Sequence, residues 1–112
     1  MTVLFDAEPL LAFSFDERGA KTVRSWLDRV YDGETAGYVT TVNLAEFRYV
    51  AARQTSQGAA DAQIRALQEM GVTEYGVDDL WNTASAVKTD HSLSLGDAYA
   101  IATTKDIDTA AE

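Results

Sequence analysis

Three short β-type segments, held apart by helical stretches, constrain the fold of this chain more than any other feature. Val3, Leu4 and Phe5 form a continuous apolar run, the pattern of a strand covered on both faces. Tyr38-Val39-Thr40 and residues 72–75 read as two further strands. Between them the apolar period changes. Val23, Trp26, Leu27, Val30 and Tyr31 recur at i, i+3, i+4, i+7 and i+8, one stripe of a helix that Asp32-Gly33 ends. Pro9 suits the first turn of a shorter helix through Leu10, Leu11 and Phe13. From Asn43 a helix turns Leu44, Phe47 and Val50 or Ala51 inward; the next turns in Ile64 and Leu67 and is closed by Gly71. Asp78 is placed to cap a helix that buries Leu80, Trp81, Ala84 and Val87. Ser94 opens the last helix, with Ala98, Ile101 and Ala102. Strands joined through helices need crossover connections, so the expected fold is α/β with a mainly parallel sheet.

The length, 112 residues, suits a single domain over 1–112, and no repeat or linker divides it. With 46% hydrophobic residues the chain can build a core. No apolar run has the length of a membrane span, and no basic stretch precedes the apolar N-terminus, so a cytoplasmic protein is expected. The chain has no cysteine and one histidine, His91, which excludes disulfides, thiolate metal sites and multi-histidine zinc sites. Eighteen acids against nine Lys and Arg give a formal charge of -9, with only Lys21, Lys88 and Lys105 as lysines. That balance argues against nucleic-acid binding unless a bound metal reverses the local charge. It also suits a halophilic, haloarchaeal type of cytoplasm, where screening is short-ranged. Folding that improves between low and molar salt is the expected sign of it.

Ligands of parallel α/β sheets sit beyond the carboxyl ends of the strands. Asp6 ends the first strand, Glu46 lies early in the helix after the second, and Asp97 lies in the first turn of the last helix. Each acid has a structural reading. Asn43-Leu44-Ala45-Glu46 and Ser94-Leu95-Gly96-Asp97 both fit a capping box, and Asp6 fits a helix cap. Taken together the three would repel one another in apolar frames, and such charges need a cation or a proton. An oxygen-only set suits Mg²⁺ or Mn²⁺.

The chain resembles the PIN domain family, and within it the VapC-type toxins of toxin–antitoxin pairs. The likeness rests on Val3-Leu4-Phe5-Asp6-Ala7, on the segment from Thr40 to Phe47 that holds Thr41, Asn43 and Glu46, and on Leu93-Ser94-Leu95-Gly96-Asp97-Ala98-Tyr99 continuing to Ala102. It implies a three-layer, Rossmann-like α/β/α fold and a Mg²⁺- or Mn²⁺-dependent endoribonuclease. It further implies a homodimer and inhibition by a VapB-type antitoxin. By motif position, Asp6, Glu46 and Asp97 are the implied catalytic, metal-binding acids, and Thr41 supplies a supporting hydroxyl.

Two departures from the family pattern stand out. Glu8 replaces a small hydroxyl residue and is expected to be exposed. The family's further strand and acid have no counterpart before Glu112, so the domain reads as C-terminally shortened, with Asp106 and Asp108 as poor substitutes. Among cationic and aromatic residues, Arg18, Arg48 and Arg53 are candidate RNA contacts that read more simply as surface residues, and Trp26 and Trp81 read as core. The alternative function is a catalytically impaired module that binds an antitoxin or dimerises through the segments 10–13 and 47–50.

Overall fold

The computed structural model describes residues 1–111, with side chains through Asp108. Three strands, β1 (Thr2–Phe5), β2 (Ala36–Thr40) and β3 (Val72–Tyr75), form one sheet in the order β1-β2-β3. Both pairings are parallel, with Phe5 beside Val39 and Thr40 beside Tyr75. The connections are helical: α1 (Ala7–Ser14) and α2 (Ala20–Tyr31) between β1 and β2, and α3 (Thr41–Gln54) and α4 (Gln57–Glu69) between β2 and β3. After β3 come α5 (Trp81–Asp90) and α6 (Leu95–Ala111). This is the expected mixed α/β architecture, a parallel sheet flanked by helices.

Two hydrophobic clusters build it. Phe5, Val39 and Val72 project from one sheet face into a core with Leu10, Leu27, Phe47, Ala51 and Leu67 of the first four helices. Phe47, Leu10 and Leu27 are wholly buried, each worth about 1.5–3 kcal/mol relative to exposure. Neither Leu10 nor Phe47 is therefore available for the apolar docking surface expected over 10–13 and 47–50. Gly37 lets α2 lie tight on β2, because a Cβ there would stand 2.7 Å from Val30 Cγ2. The second cluster joins Leu80, Ala84 and Val87 of the α5 region to Ala98 and Ala102 of α6, with Tyr75 packed against it. Tyr75 meets Tyr38 edge-on at 5.4 Å between ring centroids.

Several expected helix starts move. The cap of helix α3 lies three residues earlier than expected, at Thr40 in place of Asn43: the Thr40 hydroxyl accepts the Asn43 N–H at 3.0 Å. Helix α4 is capped by Ser56, whose hydroxyl accepts the Ala59 N–H. Asp78 caps nothing; α5 starts at Trp81, and Leu80 closes a turn onto the Val77 carbonyl. Trp81 is 64% exposed, against expectation. The buried stripe is Leu80, Ala84 and Val87, and Trp81 lies about 100° around the helix from Leu80. Trp26 is partly buried against the first core, with the Arg29 guanidinium 4.7 Å above its ring.

Candidate active site

All three expected acids sit at the carboxyl-end edge of the sheet, each placed by a different element. Asp6 follows β1 and holds the N-cap position of α1 in extended geometry, yet its side chain makes no capping bond. Glu46 lies six residues into α3, too far along for a capping box once Thr40 is the cap. Asp97 lies in the first turn of α6, where Ser94 Oγ accepts its N–H at 3.1 Å. Structural duties thus fail to account for the carboxylates of Asp6 and Glu46. For α6, the capping bond comes from Ser94.

The three acids line one cleft of about 470 Å³, together with Glu8, Asn43 and Ser94. No lysine or arginine is in its lining. The electrostatic consequence falls on two of the acids. Burial pushes the Asp6 carboxyl above its ordinary 3.8, and the charges of Asp97 and Glu8 push it further. Burial also raises Glu46 above 4.5, followed by the charges of Asp97, Asp6 and Glu8. Glu8 is exposed, as expected, but it faces this cleft and adds to its negative field.

The donor set is oxygen-only and lined by no cation, with Asp6 partly buried and Glu46 and Asp97 exposed, and in chemistry it fits a hard divalent cation. Its spacing is looser than a coordination shell. Among the described residues no group of three carboxylates stands close enough to enclose an ion directly. Asp6, Glu46 and Asp97 would have to share such an ion with water, as Mg²⁺ sites commonly do.

Asn43, which the sequence suggested only as a cap, is 2% exposed and sits at the base of the cleft. Its Oδ1 accepts the Ala7 N–H at 3.4 Å. Its Nδ2 donates to Thr40 Oγ1 at 3.1 Å and to the Gly96 carbonyl at 3.4 Å. A readable signal existed: Asn43 heads the buried stripe Asn43, Phe47, Ala51 at i, i+4 and i+8. A carboxamide on such a stripe must find partners.

Other candidates go elsewhere. The Thr41 hydroxyl donates to Glu74 Oε2 at 2.8 Å and to the Tyr75 carbonyl at 3.4 Å, tying α3 to β3, and Thr41 is not in the cleft lining. Asp106 accepts the Tyr75 hydroxyl at 2.7 Å, and neither Asp106 nor Asp108 lines the cleft. Arg48 pairs with Asp61 at 2.8 Å and with Gln57, bracing α3 on α4. Arg53 donates to the Tyr49 hydroxyl at 2.9 Å, and Arg18 is exposed.

A parallel α/β domain of this class takes its ligands beyond the carboxyl ends of the strands, the edge at which these carboxylates collect. The chain belongs to the PIN domain family, whose model matches residues 3–111. Domains of this family are generally nucleases, act on RNA or DNA, and typically bind divalent metals. Among curated proteins and among solved structures, nothing matches the chain significantly. Among the described residues, no helix is long and apolar enough to cross a membrane.

Proposed function

We propose that this protein is a metal-dependent endoribonuclease that hydrolyses RNA phosphodiester bonds, with Asp6, Glu46 and Asp97 as its metal-binding acids. The observation that carries the reading is the single cleft that collects these three carboxylates without a cationic partner. Like charges crowded into one cleft without a cationic partner cost stability, and a bound cation removes that cost. Mg²⁺ or Mn²⁺ bound there would activate a water and neutralise charge developing on the phosphate. The chain's own part is positional. Asp6, at the end of β1, and Asp97, at the start of α6, approach from two sides, and Glu46 approaches from α3. Glu8 adds negative field at the rim, which strengthens cation capture and repels a phosphate backbone until the cation is bound.

The same reading extends to biology. The protein acts as the toxin of a type II toxin–antitoxin pair, as a cytoplasmic homodimer held inactive by a VapB-type antitoxin. The VapC-like motif segments around Asp6, Glu46 and Asp97 support this extension. The net charge of -9 supports a high-salt setting, in which RNA contacts depend on the metal more than on basic side chains.

The test is incubation with structured RNA and with single-stranded DNA, with Mg²⁺, with Mn²⁺ and with EDTA, alongside Asp97→Asn. Expected is internal cleavage of RNA that requires the metal and falls at least a hundredfold in the variant. Cleavage that persists in EDTA, or that Asp97→Asn leaves unchanged, sinks the mechanism; cleavage confined to DNA sinks the substrate assignment.

A further inference from the structure

We propose that Asn43 is the positioning residue of the acid site: through one carboxamide it sets the separation of the three chain segments that carry Asp6, Glu46 and Asp97. The inference rests on the metal-binding reading above and adds to it the means by which the site holds its shape.

Asp6, Glu46 and Asp97 come from segments remote in sequence, and among the described residues no salt bridge ties one of these carboxylates to a cation. Like charges push these segments apart. Something neutral must hold them together, and Asn43 touches all three. It accepts from Ala7, the residue after Asp6. It donates to the carbonyl of Gly96, the residue before Asp97. It is itself three residues before Glu46 on α3, so Glu46 projects from the next turn of the same helix. The Thr40 hydroxyl fixes Asn43 in turn, accepting both its backbone N–H at 3.0 Å and its Nδ2 at 3.1 Å.

The chemistry of the side chain is well suited to the task. A carboxamide presents an acceptor and two donors at a fixed angle, so it can hold an N–H on one side and a carbonyl on the other. Being neutral, it adds nothing to the repulsion. The Ala7 and Gly96 bonds, both 3.4 Å, are the long ones. They are the two that span between elements. An aspartate or leucine of similar size satisfies at most part of this pattern. Buried as it is, Asn43 cannot contact RNA, so its effect must run through the carboxylates.

The experiment uses the whole protein in three forms: wild type, Asn43→Ala, and Ile64→Ala. Ile64 packs on the first core from α4 and does not line the cleft, so its variant reports a general loss of stability. Mn²⁺ affinity is measured by titration calorimetry without RNA, at a temperature where each form is folded by circular dichroism. Expected is a loss of at least tenfold for Asn43→Ala and less than twofold for Ile64→Ala. Equal affinity for Asn43→Ala and wild type overturns the proposal. A second measurement needs no variant. The Ala7 amide in metal-free wild type should be protected from hydrogen exchange at least a hundredfold, because Asn43 Oδ1 is its partner. An unprotected Ala7 amide also overturns the proposal. If wild type itself fails to bind Mn²⁺ while Ala7 is protected, the metal reading fails and the holding role of Asn43 stands.

Discussion

The carboxylate of Glu46 lies over the Cα of Gly96: a Cβ built on Gly96 would collide with Glu46 Oε1 and come within 3.4 Å of Asn43 Oδ1. The first turn of α6 therefore has to be bare at this position for Glu46 to reach the cleft. Gly96→Ala should improve helix propensity by up to about 1 kcal/mol while displacing Glu46. The expected outcome is a melting temperature close to wild type with metal-dependent cleavage reduced about tenfold or more. Paired thermal melts and RNA cleavage rates check it. A large loss of stability with full specific activity would contradict the geometry.

Asp6 and Glu46 are both held above their ordinary values, Asp6 by burial and then by the charges of Asp97 and Glu8, and Glu46 by burial and then by those of Asp97, Asp6 and Glu8. The native state therefore takes up their protons before the unfolded chain does. Their contribution penalises the metal-free fold at neutral pH and is relieved as pH falls through the raised values toward 3.8 and 4.5. Asp61, held below its ordinary range by Arg48, contributes in the opposite direction at low pH. Comparison with a variant separates the two. Asp97→Asn should stabilise metal-free protein at pH 7 by about 0.5 kcal/mol, a figure discounted for the partial solvent screening of this cleft. The gain should shrink toward pH 4. Urea denaturation of both forms across that range measures it.

Added Mn²⁺ or Mg²⁺ should stabilise wild type with the logarithm of the ligand excess, by about 2.7 kcal/mol at a hundredfold over Kd, and raise its melting temperature accordingly. Acidification should weaken the effect, because protonated Asp6 and Glu46 compete with the ion. Asp97→Asn should abolish most of the shift. Differential scanning calorimetry with and without metal, at pH 5 and pH 7, reads all three outcomes; a shift equal in wild type and variant would place the ion elsewhere.

Thr41 and Trp81 offer the converse test. Thr41→Val removes a hydroxyl that serves Glu74 and Tyr75, so it should cost about 1 kcal/mol and leave Mn²⁺ affinity within twofold. Trp81→Ala removes a ring that is 64% exposed and should change stability by no more than about 0.5 kcal/mol. Denaturant melts and metal titrations of the two variants suffice to check both.

What the sequence determined by itself was the layout. Apolar period separated strands from helices, and helices between successive strands supply the crossovers that parallel pairing needs. Strand ends then placed Asp6, Glu46 and Asp97 at one edge. Those inferences held because period and crossover geometry are local properties of the chain. Caps were less legible: Thr40 and Asn43 are both suitable, and the contest was decided by which one had tertiary partners. Asn43 was drawn inward by Ala7 and Gly96, which left Thr40 to close the helix. Trp81 carries the same letter in a buried or an exposed stripe, and the start of α5 determined which. Whether the acids share a cleft, how close Gly96 lets Glu46 come, and that a neutral carboxamide stands between them were settled only by packing. These are contacts between residues dozens of positions apart, and no periodicity in the chain encodes their distances.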